Sequence, residues 1–339
     1  AVIPTEDNII TYVSDGFTVK PVDITDTAIH PEEKNTTEAL IRGVAAALKD
    51  RGYRIGGFSC YAQSDVLPGS GMSSSAAFEV LIGTILSGLY NDGRIPSMDI
   101  AKCGQIAENR YFMKGSGLLD QMACSTGSFA YMDFGDPDNV IVEKVDFAPA
   151  DYGYDLILTD VRASHADLSD EYSLVPSEMK AAAAVLGKDV LGTCTKQEVI
   201  DHCRQIREAC GDRAFLRAYH FVCETQRAKD EADALRHGDF KEFLKLVRES
   251  GRSSWMYLQN ISAPGSSKDQ AIATALALSE SLLQENGAYR VHGGGFAGTI
   301  QAFVPQKDTE SYIALMESVF GEGCCYVLSI RECGGTEIC

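Results

Sequence analysis

The chain has 339 residues, 45% of them hydrophobic, enough to bury a substantial core in two domains or one large one. With 48 acidic against 30 basic side chains, its net charge of −18 repels polynucleotides and anionic membranes, so neither is an expected partner. No run approaches the ~18 apolar residues of a membrane span, and Ala1 to Ile9 lacks the basic flank and apolar core of a signal peptide, so a soluble protein in the cytoplasm is expected.

In chain order, Thr37 to Lys49 carries Ala39, Leu40, Val44 and Leu48 near helical spacing behind a Thr36 or Thr37 cap, which predicts a helix. Gly56 to Gln63 reads as a short strand. The run Val66-Leu67-Pro68-Gly69-Ser70-Gly71-Met72-Ser73-Ser74-Ser75-Ala76-Ala77 then passes into the apolar segment Phe78 to Leu86, which reads as a helix. Ser97 to Phe112 predicts another helix, with Ser97 as cap and Ile100, Cys103, Ile106 and Ala107 on one face. Strands are expected at Phe129 to Asp133, Val140 to Asp146 and Tyr154 to Thr159, all rich in β-branched or aromatic residues. From Asp170 to about Leu258 long helices are broken at Gly187, Gly192, Gly211 and Gly238. The last part mixes again: helix Asp269 to Asn286, strands Tyr289 to His292 and Gly298 to Val304, helix Thr309 to Phe320, strand Cys324 to Ile330. Such alternation in both halves predicts an α+β fold of two domains, residues 1–150 and 151–339.

The loop from Pro68 to Ser75 follows a strand and opens a helix. A helix start leaves its first N–H groups unpaired and concentrates partial positive charge, so it favours a polyphosphate, and serine hydroxyls add donors or oxygen ligands for Mg²⁺. An ordinary serine-capped helix could begin the same way. The spacing matches neither a Walker A loop nor a Rossmann fingerprint. In Gly115-Ser116-Gly117-Leu118-Leu119-Asp120-Gln121-Met122, Asp120 stands in a small or apolar stretch. It reads either as a cap or paired carboxylate, or as a general base for a substrate hydroxyl. Glu108, twelve residues upstream, is a solvated acid when taken alone and a Mg²⁺ ligand if it lies beside Ser75. In Val291-His292-Gly293-Gly294-Gly295-Phe296-Ala297-Gly298-Thr299 the glycines make either a tight hairpin or room for a ligand, and His292 is expected to be packed or hydrogen-bonded. The eleven cysteines lack close CxxC pairs and interleaved histidines, so reduced, mostly buried thiols are expected.

Together, in this order, the three stretches resemble the second and third motifs of the GHMP kinase superfamily, and within it the galactokinase family. Gly117-Leu118-Leu119-Asp120-Gln121 is similar to that family's Gly-Ile-Met-Asp-Gln signature, and Ser169-Asp170-Glu171-Tyr172-Ser173 resembles its Glu-Tyr segment. The resemblance implies a two-domain fold of mixed sheets and helices with the active site between the domains. It implies an ATP-dependent kinase acting on galactose as a monomer, with Mg²⁺. Pro68, Gly69, Ser70, Gly71, Met72, Ser73, Ser74 and Ser75 would hold ATP, and Ser75 and Glu108 the metal. Asp120 would be the base at the anomeric hydroxyl, with Gly117, Tyr172, Gly294 and Gly295 around the sugar. Another sugar such as N-acetylgalactosamine or arabinose, or a non-catalytic sensor, is the alternative. The family's first motif, an Arg-Val-Asn-Leu-Ile-Gly-Glu-His-Thr-Asp-type stretch, has no counterpart between Ala1 and Thr36, so the chain is read as N-terminally incomplete. The family's nucleobase-side Trp has none either, Trp255 being the single tryptophan.

Overall fold

The structure, a computed structural model, describes residues 1–14, 16–66, 73–136, 139–163, 169–296 and 298–338. They pack as two units, the first comprising residues 1–128 and 331 onward, the second Phe129–Ile330.

The first unit begins with β1 (Val2–Pro4), β2 (Ile9–Ser14), β3 (Phe17–Thr18) and β4 (Val22–Asp23), none of them signalled by a long apolar run. There follow α1 (Thr37–Asp50), β5 (Phe58–Ala62), α2 (Ser74–Asn91), α3 (Ser97–Ile106), a π turn (Ala107–Tyr111) and α4 (Leu119–Thr126). β5 lies between β1 and β2, and β3 and β4 pair with opposite ends of β2. β2 and β5 are parallel, with Ile10 opposite Phe58 and Tyr12 opposite Cys60. Parallel neighbours need a crossover, and α1 lies on it. Thr36 starts α1 by accepting from the Ala39 N–H. Helical spacing then drives Ile41, Val44 and Leu48 into a core shared with Ile10, Phe58, Ile82 and Leu86, all essentially inaccessible. Each such side chain contributes roughly 1.5–3 kcal/mol of burial.

Two expectations for this unit are corrected. Pro96, not Ser97, is the N-cap of α3, without a side-chain bond. The helix through Phe112 also changes pitch at Ala107, where α1 comes very close: a Cβ on Gly43 would stand 2.7 Å from the Ala107 Cα. The eight-residue helix α4 follows a loop containing Gly115 and Gly117, and was not expected.

The second unit carries β6 (Phe129–Asp133), β7 (Ile141–Val145), β8 (Tyr154–Asp160), α5 (Ser169–Val185), α6 (Lys196–Asp201), α7 (Cys203–Cys210), α8 (Asp212–Arg236) and α9 (Phe240–Ser253). A π turn (Ser254–Leu258), α10 (Ala271–Leu283), β9 (Ala288–Val291), β10 (Thr299–Pro305), α11 (Thr309–Phe320) and β11 (Cys325–Leu328) complete it. Its antiparallel sheet runs β11-β8-β10-β9, and β6 and β7 form a separate pair. Alternation along β10 sends Ile300, Ala302 and Val304 into a core with Tyr312 and Met316, and Phe303 into an aromatic cluster with Phe147, Phe240 and Phe243. Phe129 joins that cluster edge-on to Phe147, with ring centroids 4.9 Å apart. Phe129 is the first residue of the second unit.

Both units mix sheet and helix, as an α+β fold requires. The ten described cysteines are all free, but only Cys60, Cys103 and Cys324 are buried, fewer than expected. Among the described residues no helix is long and apolar enough to cross a membrane.

Candidate active site

The expected phosphate loop from Pro68 through Gly69, Ser70, Gly71 and Met72 lies outside the described residues. Its last serines are described and open α2. Ser73 stands in the left-handed region at φ 54 and ψ 50, and its hydroxyl does not cap the helix that it precedes. Instead it donates to Oδ2 of Asp120 at 2.5 Å. Asp120 occupies the first turn of α4 and is exposed. An exposed carboxylate that accepts a hydrogen bond from a serine on one oxygen can accept from a ligand hydroxyl as well. Gly117, three residues before it, is exposed, and a side chain there would meet nothing within 4 Å.

Behind this pair lies a second. The Ser75 hydroxyl donates to Glu108 Oε1 at 2.9 Å, so the two residues expected to share a cation do come together. Glu108 sits in the π turn and is 2% exposed. Burial pushes its carboxyl up, but donors from Ser116, Lys114 and Ser75 outweigh that and hold it below the ordinary carboxylate value. Lys114 Nζ lies 3.0 Å from the same Oε1. The other oxygen, Oε2, accepts from Gln121 Nε2 at 2.8 Å, and that amide nitrogen also donates to Glu79 Oε2 at 2.9 Å. Glu79 is inaccessible, and burial pushes its carboxyl up to about 8, against the hydrogen bond from Gln121.

Lys114, Gln121 and Glu79 were not foreseen as site residues. The available signals were an acid inside the apolar run of α2 and a Gln beside Asp120; nothing local marks Lys114.

The other expected residues meet in the second unit. The Tyr172 hydroxyl donates to the Gly295 carbonyl at 2.7 Å, and its ring stands edge-on to Phe296. Gly294 faces that ring so closely that any side chain would collide with it. Asn260, delivered by the π turn after α9, accepts from the Phe296 N–H at 2.5 Å and donates to the Gly294 carbonyl at 3.1 Å. The glycine stretch is therefore held at three consecutive residues. His292 is hydrogen-bonded to Gln301 at 3.0 Å.

Among the described residues no group of three or more His, Cys, Asp and Glu side chains is arranged to hold a metal. Ser75 and Glu108 nevertheless supply two hard oxygens on one side of a point. That suits Mg²⁺, which takes one or two protein oxygens and completes its shell with water and substrate phosphates. The donor set thus fits a cation carried in by a phosphate chain.

A fold of this kind, with a serine-rich helix start facing a carboxylate, defines a class of small-molecule kinases. Residues 39–128 match the family described as GHMP kinases N terminal domain. A galactokinase of Lacticaseibacillus casei is 30% identical over 280 residues, covering 80% of this chain and 68% of the relative. One from Clostridium tetani is 27% identical over 310 residues, covering 91% and 76%. Lactococcus lactis galactokinase, solved in complex with galactose, superposes with a TM-score of 0.82 at 21% identity, covering 99% of this chain and 86% of that one. The mevalonate kinase of L. major shares the fold at a TM-score of 0.58, covering 98% and 86% at 12% identity. The chain belongs to the galactokinase family.

Proposed function

We propose that this protein transfers the γ-phosphoryl group of ATP to the anomeric hydroxyl of galactose, giving galactose 1-phosphate and ADP. The observation that carries the reading is the 2.5 Å hydrogen bond from Ser73 to Asp120, which ties an exposed carboxylate to the start of α2. Phosphoryl transfer asks for positioning and charge neutralisation more than covalent chemistry, and this corner offers both. The sugar C1 hydroxyl gives its proton to Asp120 as its oxygen bonds to the γ-phosphorus; the bond from that phosphorus to the bridging oxygen breaks, and ADP leaves with the electron pair. The backbone N–H groups in the N-terminal turn of α2 would donate to the phosphate oxygens, the Ser73 and Ser75 hydroxyls being engaged with Asp120 and Glu108. Ser75 and Glu108 would hold Mg²⁺, which when bound offsets the charge of the polyphosphate. Lys114, whose ammonium lies 3.0 Å from Glu108 Oε1, would add a positive charge beside the phosphates. The open surface at Gly117 leaves its backbone approachable by the sugar. Tyr172, whose hydroxyl donates a hydrogen bond to the Gly295 carbonyl, would stand beside a ring hydroxyl of the sugar.

The test is Asp120→Asn assayed for ADP release across galactose, N-acetylgalactosamine and arabinose. Turnover of galactose is expected to fall by about 10²–10⁴-fold with nucleotide affinity unchanged. Undiminished turnover removes Asp120 as the base. Preference for another sugar reassigns the substrate, and galactose binding by the unsubstituted chain without ADP release marks a sensor.

A further inference from the structure

We propose that Gln121 and Glu79 are positioning residues that fix Glu108 in the orientation a metal needs, and so set the divalent-cation affinity of the site. The inference rests on the reading of Glu108 as a metal ligand given above.

A glutamine amide nitrogen has two hydrogens, and both are committed here: one to Glu108 Oε2 at 2.8 Å, the other to Glu79 Oε2 at 2.9 Å. With Oε2 pinned from behind, Oε1 is left to face Ser75 and Lys114. A carboxylate held by one oxygen cannot swing its other away from a cation, which is the usual work of groups that hydrogen-bond to metal ligands. The chain reinforces this geometry at each point. Glu79 lies four residues beyond Ser75 on α2, one turn along the same face, so the cation side and the anchor side belong to one rigid element. Gln121 directly follows Asp120 on α4, so the amide that holds Glu108 also fixes the turn presenting the base. α3 closes the cluster. A Cβ on Gly104 would stand 3.0 Å from Glu79 Oε2 and 3.2 Å from Gln121 Cγ, so glycine is what lets that helix press against both.

Stability does not explain the arrangement. Glu79 and Gln121 are both inaccessible, and among the described residues neither Glu79 Oε1 nor Gln121 Oε1 has a hydrogen-bond partner. Two orphaned oxygens in a core are a cost that methionines of similar volume would not carry. The bridge to Glu108 is what they supply in return.

The experiment measures Mn²⁺ binding to the full chain in the presence of a non-hydrolysable ATP analogue, by electron paramagnetic resonance, so that turnover is not the readout. Gln121→Met removes both donors at nearly constant volume and is expected to weaken Mn²⁺ about 10–100-fold. Glu79→Met is expected to weaken it in the same direction, since Gln121 then loses its anchor. Glu79→Gln, which keeps an oxygen for the Gln121 amide, is expected to restore wild-type affinity. Glu108→Gln is the control for the parent reading. If Glu108→Gln abolishes Mn²⁺ binding while Gln121→Met binds as tightly as wild type, the positioning role is overturned and Glu108 stands. If Glu108→Gln itself binds normally, Glu108 is not a ligand and the parent reading fails first. Should Gln121→Met not fold, Gln121→Asn, too short to span both carboxylates, takes its place with the same expected loss.

Discussion

Ser73 carries two burdens that a single substitution can separate. Its backbone holds a left-handed conformation that costs a non-glycine residue about 1–2 kcal/mol, and its hydroxyl holds Asp120. Glycine relieves the first and forfeits the second; alanine keeps the strain and also loses the bond. Ser73→Gly is therefore expected to be more stable than Ser73→Ala by about 1 kcal/mol, read as a higher urea midpoint at unchanged slope, while both lose turnover alike. Equal midpoints would mean that the left-handed backbone is unstrained in this setting. Tyr172 offers a parallel case in the second unit. Removing its hydroxyl leaves the Gly295 carbonyl without that donor, so Tyr172→Phe is expected to destabilise the second unit by about 0.5–1.5 kcal/mol. If the oxygen also accepts from a sugar hydroxyl, the KM for galactose rises as well. A change in stability alone assigns Tyr172 to the glycine stretch only.

At the scale of elements, the π turn from Ala107 to Tyr111 is where helix geometry meets the candidate site. It is backed by α1 at a glycine contact, with a Gly43 Cβ falling 2.7 Å from both Ala107 Cα and Ala107 Cβ. Gly43→Ala must push the turn outward and carry Glu108 with it. The expected cost is about 1–3 kcal/mol of overpacking, together with weaker Mn²⁺ binding. Loss of stability with wild-type Mn²⁺ affinity would mean that α1 yields instead. This turn also shows what local sequence conveys and what it does not. α1 was legible because Thr36 and the apolar spacing agree, and α11 from Thr309 to Phe320 because the pattern is bounded by Gly321. Ser73, Ser75, Glu108 and Asp120 were legible as types in a pattern. The change of pitch at Ala107 was not, because one extra residue per turn leaves amphipathic spacing almost unaltered over five residues. β2 to β4 were missed because strands of two to six residues carry too few alternations to stand out. Gln121 and Glu79 were unreadable as a pair because their partnership depends on α2, α3 and α4 meeting, and no sequence spacing encodes that.

Across the whole molecule, stability depends on pH in opposite directions through three groups, Glu79 in the first unit and His220 and Glu231 in the second. Glu79 in the first unit has an ordinary value of 4.5 and is pushed up to about 8 by burial. Below 4.5 both the folded and unfolded forms are protonated and nothing changes. Between 4.5 and 8 the unfolded chain gives up a proton that the fold retains, so stability falls as pH rises, by at most about 1.4 kcal/mol per pH unit. His220 in the second unit has an ordinary value of 6.5 and is pushed down to about 4 by burial, with the charges of Arg290 and Arg227 adding to the effect. Above 6.5 it contributes no slope; as pH falls from 6.5 to 4 the unfolded chain takes up a proton that the fold refuses, and stability is lost. Glu231, also in the second unit and pushed up to about 7 by burial, adds a loss on the alkaline side between 4.5 and 7. Glu79→Gln is therefore expected to flatten the alkaline limb of the first unit, read as amide exchange in α2 between pH 5 and 8. His220→Asn is expected to flatten the acid limb of the second unit, read by the fluorescence of Trp255, the single tryptophan and a residue of that unit. An alkaline slope that survives in Glu79→Gln would mean that Glu79 is already ionised in the folded protein at neutral pH, and that the inaccessible cluster around Gln121 admits enough water to keep it so.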